Sequence, residues 1–355
     1  MEKIRVLVAG CGNMGSSHAR AYHRMKNDFE IVGIVDKFPE NREKLSKALD
    51  GLKEFDDFDK ALAETKPDAV SINTYPDSHA ALTKKAFEAG CHVFCEKPIA
   101  TNAADAEEIA ALAKKYGRKL VIGYILRHHP SWKKFVEVAH TLGKPLVMRM
   151  NLNQQSKGAM WATHKNLMNA ISPIVDCGVH YVDMMCLMTK SKPVRVQAMG
   201  ARLSNEIKED MYNYGQLQVF FEDGSVGWYE AGWGPMMSET AYFVKDVVGP
   251  NGCVTIVSPE TAPSSDNIDS HTKTNKLRVH HAELDKDGSF VRKDDIINMA
   301  EEPVHDDLCC FEQAYFLKAI RENMDLSEHV FDAVNSLKIV LAADQSVRER
   351  KAIDL

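Results

Sequence analysis

Asp176, His180 and Asp183 follow one another at spacings of four and three residues in the run Asp176-Cys177-Gly178-Val179-His180-Tyr181-Val182-Asp183. On a helix those spacings place the three ionisable side chains on one face. An imidazole beside a carboxylate is an acid-base pair suited to neutral pH, able to take a hydroxyl proton as a hydride leaves the same carbon. Two carboxylates and an imidazole also form a plausible divalent-metal set, although spacing locates no fourth ligand. Taken alone, a histidine on a helix face is more often a satisfied core residue than a catalyst.

Two further groups point to the same chemistry. Glu96-Lys97-Pro98 closes the strand-like run His92-Val93-Phe94-Cys95, at the carboxyl edge where open α/β sheets bind ligands. Lys97 there can hydrogen-bond a substrate hydroxyl and stabilise the alkoxide that develops as hydride departs; the alternative is a solvated lysine at a strand end. The third group is Gly10-Cys11-Gly12-Asn13-Met14-Gly15, with Asp36 about 20 residues beyond the last glycine. The first glycine permits a tight turn, the second lets backbone N–H groups approach a pyrophosphate, and the third allows close helix-strand packing. Asp36 can accept both ribose hydroxyls and would repel a 2′-phosphate, which favours NAD over NADP, whereas Lys37 beside it partly offsets that preference.

The elements that must position these groups follow from hydrophobic patterning. Ile4 to Ala9 and Ile31 to Val35 read as buried strands flanking a helix over Ser16 to Met25, and helices are expected over Asn41 to Leu49, Phe58 to Glu64, Ser78 to Ala89 and Asn102 to Tyr116. Asp68 to Asn73, His92 to Cys95 and Leu120 to Gly123 supply further strands. Strand-helix alternation with apolar strands means a parallel sheet covered on both faces. Beyond residue 124 a helix over Ser131 to Leu142 and a strand near Leu146 to Leu152 lead into a polar loop, Gln154 to Asn169. A helical segment over Ile174 to Met188 follows. Strand-like runs then cover Val194 to Leu203, Tyr214 to Phe221, Val226 to Trp233, Tyr242 to Val248 and Cys253 to Val257, with hairpin chemistry at Asp223-Gly224 and Asn251-Gly252. Helices near Leu308 to Glu322 and His329 to Glu349 close the chain. The expected fold is α/β: a doubly wound parallel Rossmann sheet, then an α+β domain with a large, mostly antiparallel open sheet.

Composition excludes several classes. A chain of 355 residues is long enough for two domains, and a net charge of -6 without a basic stripe argues against a nucleic-acid partner. No apolar run reaches 18 residues and Met1-Glu2-Lys3 enters a strand directly, so the expectation is a cytoplasmic protein without a membrane partner. Eight cysteines scattered through apparent strands and helices suit a reducing compartment. Cys91 and Cys95 on one strand, Cys309-Cys310, His128-His129 and His280-His281 lack zinc-site spacing, so buried thiols and surface imidazoles are expected there, and no metal.

The glycine loop, Thr74 with His79, Glu96-Lys97-Pro98, Arg127 with Pro130 after Gly123, and Asp176-Cys177-Gly178-Val179-His180 together resemble the glucose-fructose oxidoreductase, inositol dehydrogenase and rhizopine-catabolism (Gfo/Idh/MocA) family over nearly the full chain. The resemblance implies that Lys97, Asp176 and His180 are catalytic. It implies cofactor contacts from Gly10, Cys11, Gly12, Asn13, Met14, Gly15, Asp36 and Lys37, joined by Thr74, Tyr75, His79, Glu96 and Lys97. It also implies a Rossmann domain over residues 1–124 and a substrate-binding and oligomerisation domain over 125–355, whose last helices can pack back on the first. A homo-oligomer, commonly a tetramer, is expected.

Three departures stand out: Ile171-Ser172-Pro173 replaces a glycine pair, Tyr75 interrupts the usual Thr-Pro, and His128 follows the arginine where an aromatic residue is frequent. Proline in the first turn leaves the helix start intact. Arg127, Trp161, His164 and Asn166 are expected to contact a sugar or cyclitol ring, although Trp161 equally suits an interface. Trp228, Trp233, Met236 and Met237 read as sheet packing or subunit contact.

The expected activity is NAD-dependent hydride transfer at a secondary alcohol of a pyranose, glycoside or cyclitol. Alternatives are a keto-sugar or imine reductase using the same site, a metal-dependent lyase or hydrolase with structural NAD, and a non-catalytic NAD-linked regulator.

Overall fold

The computed structural model describes residues 2–238, 244–257, 274–299 and 301–355. Its contacts divide the chain into two units, residues 1–125 with 303–335, and residues 126–302 with 336–355. Of the range expected as the second domain, whose last helices were expected to be able to pack back on the first, residues 303–335 cluster with the first unit and 336–355 with the second.

In the first unit β1 (Ile4–Ala9), β2 (Phe29–Val35), β3 (Glu54–Phe55), β4 (Ala69–Ile72), β5 (His92–Cys95) and β6 (Leu120–Ile122) form one sheet in the order β3-β2-β1-β4-β5-β6. Every pairing in it is parallel. The order reverses beside β1, so the loops after β1 and β4 flank the crevice where such sheets take ligands. Cys91 falls just before β5 rather than on it. Helix α1 (Asn13–Arg24) starts inside the glycine loop, earlier than Ser16, because Gly12 itself is the N-cap. Helices α2 (Pro39–Ala48), α3 (Phe58–Thr65), α4 (Pro76–Glu88) and α5 (Ala103–Tyr116) complete the alternation. Proline at the first turn of α2 and α4, and Asp57 and Asn102 as side-chain caps of α3 and α5, fix the starts.

Helix α9 (His305–Arg321) also belongs to this unit. Phe316 and Ala319 join Val6, Val8, Tyr22, Phe29 and Phe94 in its core. Arg20–Asp306, Arg24–Asp307 and Arg321–Asp28 ion pairs rim that packing. The charges are partly solvated, so the apolar burial supplies most of the stabilisation.

In the second unit α6 (Pro130–Ala139) precedes β7 (Val147–Gln155), and α7 (Gly158–Leu167) and α8 (Pro173–Thr189) follow it. Strands β8 (Pro193–Ala201), β9 (Tyr214–Phe221), β10 (Val226–Gly234), β11 (Lys245–Gly249), β12 (Gly252–Val257), β13 (Lys276–His281), β14 (Asp295–Asn298) and β15 (Ile353–Asp354) join β7. Among the described residues the sheet has the order β14-β13-β12-β11-β7-β10-β9-β8-β15, antiparallel throughout except between β7 and β10. The strand expected over Tyr242 to Val248 begins in residues outside those described. α10 (Ser327–Glu349) precedes β15.

Candidate active site

The dinucleotide loop is built from steric necessity. Gly10 has φ of +89°, and a Cβ on it would lie 2.5 Å from the Asn73 carbonyl oxygen. A Cβ on Gly15 would lie 1.8 Å from the Gly10 oxygen, so only glycine lets α1 approach β1 this closely. Gly12 differs: a Cβ there would meet nothing within 4 Å. That open space lies at the N-terminus of α1, which has no side-chain cap and no acidic residue in its first turn. Orphan N–H groups facing open space suit a pyrophosphate, so these residues fit a dinucleotide. Asn13 and Met14 form the first turn of the helix.

Asp36 follows the end of β2 with its carboxylate directed at the loop. It accepts hydrogen bonds from the Cys11 N–H at 2.7 Å and the Phe38 N–H at 2.9 Å. The Cys11 amide is thus spent on Asp36, and burial pushes the Cys11 thiol up to about 12. Lys37 is exposed, with its ammonium 5.0 Å from the Phe38 ring. Sequence reasoning missed Arg42, on α2, which donates to the Asp36 carbonyl. Six residues beyond Asp36, it gave no signal beyond a charge on a helix.

Around the ends of β4 and β5 the backbone is tied to side chains. Thr74 shares a hydroxyl hydrogen bond with Ser78 at 2.6 Å. Tyr75, the N-cap of α4, is exposed. His79 is fully buried, its Nδ1 2.7 Å from the Pro98 carbonyl oxygen and its Nε2 3.0 Å from that of Thr74. Burial lowers its pKa, opposed by the two carbonyls. This imidazole stitches the loop after β4 to the Glu96-Lys97-Pro98 segment. Glu96 is buried and accepts from the Lys97 N–H at 3.1 Å.

In the second unit α8 carries Asp176 and His180. Ser172 caps it by accepting from the Val175 N–H at 3.2 Å, and Pro173 opens the first turn, so the helix start survives the loss of the glycine pair. Asp176 is buried, accepts from the Cys177 thiol at 3.3 Å, and stands one turn before His180. Gly178 lets the helix lie on the sheet, since a Cβ there would meet Tyr229 and Val340 at 3.3 Å. Tyr181 stacks on Tyr229 with centroids 4.8 Å apart.

Asp183 has a different task from its helix neighbours. Arg127 grips it bidentately, Nε at 2.7 Å and Nη2 at 2.5 Å, with Asp183 nearly fully buried. The same-face metal set of Asp176, His180 and Asp183 therefore has its third member in an ion pair with Arg127.

The segment expected as a polar loop is largely helical. Its buried positions Trp161, His164 and Met168 recur at helical spacings of three and four residues. Trp161 donates to Glu206 at 3.2 Å, and His164 stacks on Trp233 at 4.3 Å. Asn166 is exposed. His129, expected at the surface, is buried because it caps α6, accepting from the Ser131 N–H at 3.2 Å. His280 and His281 do lie partly exposed, on β13, beside Asp294 and Asp295. All eight cysteines are thiols outside any disulfide.

Comparison with known proteins shows the family and the fold. A model described as an oxidoreductase family with an NAD-binding Rossmann fold matches residues 4–124, and the GFO/IDH/MocA C-terminal domain model matches residues 134–249. The D-glucoside 3-dehydrogenase of Escherichia coli K12 is 29% identical over 51% of this chain, and the match spans about half of that relative's length, 52%. The scyllo-inositol 2-dehydrogenase (NAD(+)) of Bacillus subtilis is 23% identical over 99% of this chain and 96% of its own. The solved UDP-N-acetylglucosamine 3-dehydrogenase from Acidithiobacillus ferrooxidans shares the fold at a TM-score of 0.76, with 22% identity, covering 98% of this chain and 99% of its own.

Proposed function

The chain belongs to the GFO/IDH/MocA oxidoreductase family, whose N-terminal domain is an NAD-binding Rossmann fold, and from that premise we propose that it oxidises a secondary alcohol of a sugar, glycoside or cyclitol, or reduces the corresponding ketone. The observation that carries this reading is the pair on α8: a buried carboxylate, Asp176, one turn before His180 in a largely apolar helix whose other charged residue, Asp183, is held by Arg127. A helix core accepts such groups only at a cost, so they imply work other than packing. The names of the relatives, which include a glucoside 3-dehydrogenase and an inositol 2-dehydrogenase, support the substrate class.

In oxidation His180 takes the hydroxyl proton and Asp176 orients the imidazole and stabilises its charged form. Lys97 hydrogen-bonds the reacting oxygen and offsets the negative charge that builds on it. Bound NAD supplies the nicotinamide C4 that accepts the hydride. Loss of a hydride and a proton leaves the ketone, and reduction reverses each transfer. Contacts to the cofactor from the Gly10 to Gly15 loop, Asp36, Lys37, Thr74 and Tyr75 belong to this proposal, whereas the buried His79 and Glu96 are given no contact with it; of the residues expected at the substrate, the exposed Asn166 contacts it. Of the substrate set, Arg127 acts through its grip on Asp183, and Trp161 and His164 act as buried supports.

A panel of glucosides, free sugars and inositols, followed by absorbance of reduced nicotinamide, tests the activity. Lys97→Ala and His180→Ala should each lower kcat by about 10²–10⁴-fold, with NAD affinity retained. Wild-type turnover in either variant rejects the assignment. We also propose a homo-oligomer, a tetramer, joined through the open sheet, on which Met199 of β8 and Ile296 of β14 are exposed; light scattering of the purified chain measures its mass.

A further inference from the structure

Behind the Glu96-Lys97 segment, within the first unit, lies a buried polar cluster that the activity above does not use. His18 and Tyr22 come from α1, Cys309, Glu312 and Gln313 from α9, and Glu96 from the end of β5. The Tyr22 hydroxyl donates to Gln313 Oε1 at 2.6 Å, Gln313 Nε2 donates to His18 Nδ1 at 2.9 Å, and His18 Nε2 lies 2.8 Å from Glu96 Oε1. A carboxylate only accepts, so His18 Nε2 carries the proton and Nδ1 is bare. The chain has one polarity and leaves the imidazole neutral. The other Glu96 oxygen takes the Lys97 N–H. A Cβ on Gly123 would stand 3.3 Å from the carboxylate, so bare backbone leaves room for it.

Glu312 sits beside this chain, 1% exposed, with no hydrogen-bond partner on either carboxylate oxygen. Two like charges in a dry site cannot both persist. Burial and the neighbouring Glu96 charge raise the Glu312 pKa well above the ordinary carboxylate value. The other titratable groups facing it are the neutral His18, the Tyr22 phenol and the Cys309 thiol, the last two raised by burial. Donor atoms of His18, Cys309 and Glu312 lie within 4.8 Å of one another. Both His18 nitrogens are engaged, however, which leaves that trio without an imidazole to offer a metal.

We propose that Glu96 is a positioning residue, an ionised carboxylate held by the Tyr22-Gln313-His18 donor chain so that its second oxygen fixes the Lys97 backbone, while Glu312 beside it remains a neutral carboxylic acid. The proposal rests on the reading that Lys97 acts on the substrate, and it makes two isosteric substitutions behave oppositely. Glu96→Gln offers one acceptor where the His18 Nε2–H and the Lys97 N–H need two, so it fits only if His18 changes tautomer and the Gln313 amide turns over, reversing the whole Tyr22-Gln313-His18 chain. Glu312→Gln merely replaces a neutral acid by a neutral amide.

The test uses the full-length protein. Glu96→Gln should lower kcat about tenfold or more with the KM for NAD within about threefold, as expected for a displaced catalytic group. It should also speed hydrogen exchange of the Lys97 amide. Glu96→Asp, which keeps two acceptors, should recover part of both losses. Glu312→Gln should match wild type in kcat, in the pH profile of kcat/KM and in Lys97 exchange. Wild-type exchange in Glu96→Gln overturns the positioning role. A shifted pH profile in Glu312→Gln, or stoichiometric zinc in the wild-type protein that this variant loses, overturns the neutral acid. Exchange and metal content need no substrate, so they decide the proposal even if no alcohol in the panel is oxidised.

Discussion

Gly12 and Gly15 are three residues apart in one loop and do different work. A methyl on Gly15 would overlap the Gly10 carbonyl, whereas one on Gly12 enters space free of protein atoms. Gly12→Ala should therefore leave the stability of the cofactor-free protein within about 1 kcal/mol of wild type, the scale of an N-cap change, and weaken NAD by about tenfold or more, 1.4 kcal/mol or above. Gly15→Ala should instead destabilise the fold itself by about 1–3 kcal/mol, the range for overpacking. Denaturant unfolding without cofactor and a binding isotherm with NAD separate the two; equal effects of both substitutions on stability would refute the distinction. Both glycines stand out in the sequence because the motif is local. Glu312, Gln313 and His18 do not, since His18 and Gln313 are 295 residues apart and meet only after α9 packs on α1.

At the scale of elements, the start of α8 decides where Asp176 and His180 stand. Ser172 caps the helix and also donates to Asp344 at 2.7 Å, while the Tyr212 hydroxyl donates to Asp344 and lies 2.9 Å from the Ser172 hydroxyl oxygen. Burial raises the Asp344 pKa, opposed by those two hydroxyls. Ser172→Ala removes a cap and one partner of a buried acid together, and should cost about 1–3 kcal/mol, with kcat reduced more than the KM for NAD. A fully stable Ser172→Ala protein would show that the cap is dispensable. The helix itself was legible from Ile174 to Met188, because its apolar run is long and proline marks its first turn. The helix of Gly158–Leu167 was not, since its inward residues include a histidine and its polar ones resemble a loop. Strands β13 and β14 were also hidden, because Lys276, Arg278 and His280 interrupt the apolar run of β13 and β14 has only four residues, at the sheet edge.

For the whole molecule, buried imidazoles contribute to the dependence of stability on acid. Burial, with nearby cations for the first two, lowers His92 and His128 to about 4, and burial lowers His129 likewise. These groups stay neutral when folded and gain protons on unfolding below the ordinary histidine pKa. The stability they contribute is thus complete above about pH 6.5 and lost as pH falls toward 4. The loss should be about 1–3 kcal/mol for each. His129→Asn keeps an acceptor at the cap of α6 and removes one titration, so the fall in stability between pH 6.5 and 4 should be shallower. Denaturant midpoints across that range measure it, and an unchanged slope would exclude His129. Among the described residues no helix is long and apolar enough to cross a membrane.

Local rules were enough for the parts of this protein that depend on neighbours in the chain. Steric demand at Gly10, Gly12 and Gly15, apolar runs in the parallel strands, and the one-turn spacing of Asp176 and His180 are all written within a few residues of each other. Tertiary structure alone decided what long-range packing controls: where the closing helices divide between the units, that Arg127 grips Asp183, that Trp161 and His164 turn inward, and that Glu96 lies between His18 and the Lys97 backbone. A buried polar group must find a partner somewhere, but a linear sequence carries no signal of which distant residue that will be.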